Sequence, residues 1–282
     1  MKFDSICVPR PYAIAVIMPT RGRTQMLFDS IRSLILNADD VSRIQVLLAF
    51  DEDDDVGYPF YQSKIKPWME QAGVAQAAWK TPRLGYRRLH DYYNFLALQA
   101  KADWIVGWND DARMDSPAWD SEILNYKGQF RLLAFRSNHD HPYAIFPVIP
   151  SDWINVLGHY SLHNQTDAWI SQIAYALDIY QSIQSYVTHE RADLVQGVAE
   201  DATYNEREYL EGDASNPADF VHPEVSRARW QDTDRLAWYL DRIGQPTRWL
   251  DVLAGRQQPF DRMLANDTKG YLKTWNLNQP TA

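Results

Sequence analysis

The chain has 282 residues, 45% hydrophobic and 13% aromatic, with a formal net charge of −9. It can bury a sizeable core in one large domain, or in one domain with a smaller appendage, and its acidic balance argues against wrapping nucleic acid by counterion release. One cysteine, Cys7, excludes an intramolecular disulfide and points to a reducing, cytoplasmic setting; no Cys/His cluster has zinc-site spacing.

The N-terminal stretch, with Asp4 and two prolines ahead of its apolar run, is unlike a signal peptide, and no run approaches the ~20 apolar residues that cross a bilayer. Residues 12–20 (YAIAVIMPT) form an almost continuous apolar run, the pattern of a buried parallel strand. A helix follows, with Leu27, Ile31, Leu34 and Ile35 at helical spacing and Thr24 as the N-cap candidate. Residues 44–50 are a second strand running into Asp51-Glu52-Asp53-Asp54-Asp55, residues 58–73 an irregular helix interrupted near Pro67, and residues 75–81 a weak third strand. A helical pattern over 89–101 leads to a fourth strand over 102–108. Strands alternating with helices predict a mostly parallel, three-layer α/β sheet.

The order then changes. Residues 130–137 and 143–148 read as strands joined by a turn over 138–142, followed by a helix over about 166–180, so a mixed sheet edge is expected. From about residue 203, turn residues and charge give way to amphipathic signals in SRARWQDTDRLAWYLDRI, predicting a helical C-terminal extension over 203–282.

In open parallel sheets, ligands bind beyond the carboxyl ends of the strands. Pro19-Thr20-Arg21, Asp51-Glu52-Asp53 and Asn109-Asp110-Asp111 all lie at such ends and should converge on one crevice. Adjacent carboxylates such as Asp110 and Asp111 raise each other's pKa and want a counter-ion, of which a divalent cation is the simplest. Hard oxygen ligands suit Mg²⁺ or Mn²⁺, and Mg²⁺ takes one or two carboxylates plus waters and phosphates, so the implied substrate carries a diphosphate. The competing reading is a capped turn, with Asp115 and Ser116 before Pro117 opening a helix. The acidic run 51–55 lacks the Gly and Glu of an EF-hand loop, so only Asp51 is given a role.

The succession VIMPTRGR, LLAFDEDD and RLGYRRLHDYYNFLALQAKADWIVGWNDDARM resembles the nucleotide-binding half of family 2-like glycosyltransferases of the GT-A fold. The resemblance implies a Rossmann-like α/β/α catalytic domain over 1–202, with a nucleotide-sugar-binding half (12–115) and an acceptor-side half (116–202), ahead of the extension. It implies that Pro19, Thr20, Arg21 and Arg23 flank the nucleotide and that Asp51 reads the base. Gly85 and Asn94 match the family's loop and helix ahead of the fourth strand. Asn109-Asp110-Asp111 matches its Asp-x-Asp metal motif; with Asn in the first place, Asp111 becomes the main metal ligand and Asp110 its support or second ligand.

The segment HNQTDAWISQIAYALDIYQSIQSYVTHERADLVQGVAEDATYNERE resembles the acceptor-side half of the same relatives. It implies Asp167 as catalytic base and His189 as a further metal ligand, with His222 the competing candidate. Each has a structural alternative. Asp167 lies in a helix's first turn, where an acid gains ~0.3–1 kcal/mol from the dipole, His189 ends an apolar run as a core histidine can, and Arg21 and Arg23 can be solvated. Trp108, Trp153, Tyr160 and Trp169 can stack on a sugar ring, though core packing is their more ordinary role.

The expected function is a metal-dependent, inverting glycosyltransferase of the hexosyl or pentosyl class, using Mn²⁺ or Mg²⁺. It would move a sugar from a nucleotide-diphosphate donor, a UDP-sugar being the family's commonest, to a hydroxyl of a glycan, lipid-linked or protein acceptor. Three alternatives stand beside it: a non-catalytic nucleotide- or glycan-binding protein, a glycosyltransferase acting on modified nucleic-acid bases, and a nucleotidyltransferase, whose usual Gly-rich loop is reduced here to Gly22.

Overall fold

The strands are β1 (Tyr12–Thr20), β2 (Ile44–Asp51), β3 (Ala75–Thr81), β4 (Ala102–Gly107), β5 (Ala112–Met114), β6 (Leu132–Ser137), β7 (Pro147–Pro150) and β8 (Tyr180–His189). In the computed structural model, which describes residues 10–198, 200, 202–205 and 213–272, they form one sheet in the order β3-β2-β1-β4-β7-β6-β8-β5. The first four in that order run parallel. Beyond them β7 is antiparallel to both β4 and β6, β8 is parallel to β6, and β5 is antiparallel to β8, giving the expected mixed edge.

Helices cover both faces, as the nearly all-apolar strands require. From β1, Ile14, Val16 and Met18 pack with Leu27, Ile31 and Leu34 of α1 (Thr24–Leu36). Residues 57–71 form α2 on the same side, made of α-helical turns around a π-helical turn over Tyr61–Ile65. Pro67 follows directly on the π-helical turn, where the backbone hydrogen-bond ladder is already shifted, and the helix continues through it. The alternate residues Ala15 and Ile17 face Tyr93 and Leu96 of α3 (Leu89–Gln99), as the period of two dictates.

α4 (Trp119–Leu124) packs beside β8, α5 (Asp152–Leu157) beside β7, and α6 (Thr166–Leu177) beside β6, β7 and β8. The C-terminal part is helical as expected, with α7 (Pro223–Arg242), α8 (Trp249–Leu253) and α9 (Asp261–Asn266), and α7 packs on α5 and α6. Arg229 of α7 is buried among Trp169, Phe220 and Trp230, its guanidinium 4.4 Å from the Phe220 ring. Burial pushes its pKa down to about 10.

Four local expectations change. Arg23, not Thr24, occupies the cap position of α1 and makes no side-chain cap bond. The strand expected over 143–148 starts later, at Pro147, because upstream N–H groups go to side chains: Tyr143 to His141 Nδ1 at 3.1 Å and Ala144 to Ser171 Oγ at 2.9 Å. α6 ends at Leu177 because Asp178 turns left-handed with φ of 60°, and Tyr180 opens a strand. Asp115 and Ser116 do not cap a helix. They accept from Thr188 Oγ1 and Tyr186 N, pinning the chain against β8.

Candidate active site

A cavity of about 570 Å³ opens where β1, β2 and β4 end. That is the size of a small-molecule site and the place an open α/β sheet offers one. Pro19, Thr20, Arg21, Arg23, Asp51, Gly85, Asp110, Asp111, Asp167 and His189 all border it; Asn94 does not. The three polar strand ends therefore converge as their sequence positions imply.

At one end, Asp51 closes β2 with its carboxylate almost buried. Oδ2 accepts from Arg21 Nη1 at 2.9 Å and Oδ1 from the Tyr92 hydroxyl, which burial and this carboxylate hold protonated up to about 12. Arg21 also pairs with Asp53, while Asp54 accepts from Gly22 N at 3.0 Å and Gly57 N at 2.7 Å. The acidic run thus divides its labour. Asp51 and Asp53 fix a guanidinium at the cavity, and Asp54 fixes the loop that carries it. A Cβ on Gly57 would fall 2.3 Å from Asp54 Oδ2, so a larger residue there would displace that carboxylate.

Asp110 and Asp111 follow β4 and are 5% and 7% exposed. Asp110 Oδ2 accepts from the Thr20 hydroxyl at 2.6 Å, and Asp111 Oδ1 lies 3.0 Å from His189 Nε2. A single nitrogen, Arg23 Nη1, bridges the pair, 2.7 Å from Asp110 Oδ1 and 2.9 Å from Asp111 Oδ2. The two carboxyls are driven apart. Burial raises the Asp110 pKa beyond what Arg23 and Thr20 offset, whereas at Asp111 burial is outweighed by His189 and Arg23, which hold it at about 2.

Among the described residues no three His, Cys, Asp or Glu side chains form a metal cage. Two adjacent buried carboxylates nevertheless fit an ion that takes one or two carboxylates and completes its shell with water and phosphate. His189 is buried beside Asp111, its Nε2 3.0 Å from Oδ1, and its Nδ1 is buried with no hydrogen-bond partner. His222 instead caps α7, accepting from Glu224 N at 3.3 Å, and does not border the cavity.

Asp167, in the first turn of α6, also borders the cavity. Burial raises its pKa, and its Oδ1 accepts from Ala168 N at 2.9 Å. Asn94 holds the neighbouring loop from behind. Its Oδ1 accepts from Tyr160 N and Ser161 N, and its Nδ2 donates to the Ser161 carbonyl. Trp108, Trp153 and Trp169 are core side chains with no exposure; Tyr160 is equally buried, though it borders the cavity and stacks on Tyr93.

The sequence reading missed one wall. His139, His141 and Tyr143 border the cavity beside Tyr271 from the C-terminal part, whose ring stacks on His141 with centroids 4.9 Å apart. Burial lowers the pKa of His139 to about 3 and of His141 to about 4, so this wall is uncharged at neutral pH. Asp267 fixes Tyr271 and Leu272 through their backbone N–H groups, and Thr268 donates to Asp140 at 3.3 Å. Only Asn138-His139-Asp140-His141 hinted at it, as a dense run of polar side chains in an expected turn.

Parallel strands whose polar ends meet at one cavity, continued by a mixed edge, are the GT-A glycosyltransferase fold. The structure is similar to TarS from S. aureus (residues 1–349, in complex with UDP-GlcNAc), with a TM-score of 0.54 and 11% identity over 93% of this chain and 81% of that one. It is also similar to the mannosyltransferase PcManGT from Pyrobaculum calidifontis, in complex with GDP-Man and Mn²⁺, with a TM-score of 0.51 and 13% identity over 95% and 83%. No family model and no curated protein matches the sequence, so the likeness is one of fold.

Proposed function

We propose that the protein is a metal-dependent, inverting glycosyltransferase that takes a nucleotide-diphosphate sugar, a UDP-sugar first among candidates, and glycosylates an acceptor hydroxyl on a glycan, lipid-linked sugar or protein. The observation that carries the reading is the placement of the Asp110-Asp111 pair and Asp167 around one cavity whose far end is closed by Asp51 and Arg21. Residues 12–115 would hold the donor and residues 116–202 the acceptor side.

In this reading Asp51 accepts from the base, and Arg21 and Arg23 offer forked donors to the diphosphate. Asp111 and Asp110 would hold Mn²⁺ or Mg²⁺, with His189 the third donor. A bound ion supplies positive charge against the diphosphate as the nucleotide leaves. Asp167, ionised, accepts the proton of the acceptor hydroxyl as that oxygen attacks the anomeric carbon on the face opposite the nucleotide, which inverts the configuration. Its raised pKa makes its carboxylate a better base than that of an exposed aspartate.

The test is a panel of nucleotide sugars with Mn²⁺, Mg²⁺ or chelator, on the wild type and Asp111→Asn. Metal-dependent release of one nucleotide, lost in Asp111→Asn, supports the transferase. Tight metal-independent binding without turnover, acceptors supplied, replaces it with a binding protein.

A further inference from the structure

We propose that Arg23 is a resident counter-cation that closes the Asp110-Asp111 pair to a free divalent ion and yields it only when a diphosphate arrives, so that metal and donor bind as one coupled unit. The inference rests on the transferase reading for the diphosphate and goes beyond it in assigning the order of events to one side chain.

The guanidinium nitrogen sits 2.7 Å from one carboxylate and 2.9 Å from the other, the place a cation shared by both must take. The other two oxygens are engaged by Thr20 and His189. The three charged side chains are only 7–11% exposed, so water screens them poorly. A divalent ion on the same oxygens would meet the guanidinium at contact distance, and like charges at that range in a weakly screened site repel by several kcal/mol. One of the two cations must leave.

The fold lets Arg23 leave and gives it somewhere to go. It borders the cavity and occupies the cap position of α1 without a side-chain cap bond, so the guanidinium can swing toward a ligand while the backbone stays in place. A diphosphate in the cavity is a bidentate acceptor for the guanidinium and at the same time a source of oxygen ligands for the metal. No three-residue cage among the described residues holds the ion alone, so one arrival both lifts the block and completes the metal's shell.

The experiment measures Mn²⁺ binding to the full chain by the EPR signal of the free ion, with and without UDP, correcting for Mn²⁺–UDP in solution. In the wild type, UDP should tighten Mn²⁺ about tenfold or more, and Mn²⁺ should tighten UDP by the same factor. Arg23→Gln should bind Mn²⁺ without UDP about tenfold more tightly than the wild type and lose most of the coupling. Asp111→Asn in the Arg23→Gln background should abolish that gain.

Arg23→Lys keeps the charge and should stay close to the wild type for free Mn²⁺, which separates charge from shape. Equal Mn²⁺ affinity with and without UDP in the wild type overturns the proposal even if the Gln variant folds poorly. So does a well-folded Arg23→Gln with no gain, or a gain that survives Asp111→Asn. Failure of the transferase reading would show elsewhere, as absence of turnover with every metal and nucleotide sugar.

Discussion

Asn94 and Ser161 exchange hydrogen bonds in both directions, the Asn94 amide accepting from Ser161 N at 3.0 Å and donating to its carbonyl at 2.8 Å. With the Tyr160 N–H at 2.7 Å, this one side chain holds three backbone groups of the loop that precedes Asp167. The geometry makes Asn94 a support for that loop, set back from the cavity lining. Asn94→Ala should lower stability by about 1–3 kcal/mol, through backbone groups left unpaired, while the nucleotide dissociation constant stays unchanged. Thermal unfolding and nucleotide titration on the same sample check both halves.

Asp167→Asn removes the proposed base, and transfer should fall about 10²–10⁴-fold while donor binding persists. The same change should stabilise the fold near neutral pH. The sign follows from the raised folded-state pKa: the protonated carboxyl is preferred in the fold, so its stabilising share is complete below the unfolded pKa and is lost as pH rises through the folded one. Asn mimics the protonated form at every pH. The melting temperature of the variant should therefore exceed that of the wild type at pH 7 and converge with it at pH 3. An unchanged difference across that range counts against a buried ionised Asp167.

His139 and His141 act in the opposite direction. Their folded pKa values, about 3 and about 4, lie below the ordinary 6.5, so unfolded chains take up protons first as pH falls. Their share of stability is intact above pH 6.5 and is lost as the pH falls through those values. His139→Gln and His141→Gln together should flatten the fall in melting temperature between pH 6.5 and pH 4.

Tyr271 stacks on His141 in the cavity wall, and we assign that wall to the proposed acceptor. Tyr271→Ala should raise the acceptor KM with the donor KM unchanged, and Tyr271→Phe should restore it. A stacking contact of this kind is worth about 0.5–1.5 kcal/mol, so the expected rise is roughly three- to tenfold. Initial rates with each substrate varied in turn decide it.

The convergence of the polar strand ends on one cavity was legible because each part of it is local. Thr20, Asp51 and Asp110-Asp111 each end an apolar strand, and a parallel sheet brings such ends to one place. Asp167 was singled out by the resemblance, its place in a helix's first turn being the structural alternative. The His139, His141 and Tyr271 wall was illegible because its stacking joins segments 130 residues apart in the chain, which no periodicity records. β5 is three residues long, below what alternation can signal, and β7 was displaced by side chains that took the backbone donors upstream of it. The resemblance set Arg23 beside the nucleotide; its bridge across two carboxylates appears only when β1 and β4 lie side by side.

The short link between β4 and β5 has a kinetic consequence. Those strands are adjacent in sequence, yet in the sheet three others stand between them, and β5 pairs with β8, where Ala112 lies opposite His189. Asp111 is held by the same late segment, its carbonyl accepting from Glu190 N at 2.7 Å and its carboxylate facing His189, 78 positions further along. A growing or refolding chain can therefore lay down β1 to β4 and close their core while the carboxylate pair still lacks its frame. Non-local closure of this kind is slow, since a long loop must be ordered before its contacts form. Binding competence should trail the recovery of helical signal during refolding, with the docking of β8 as the step that separates them.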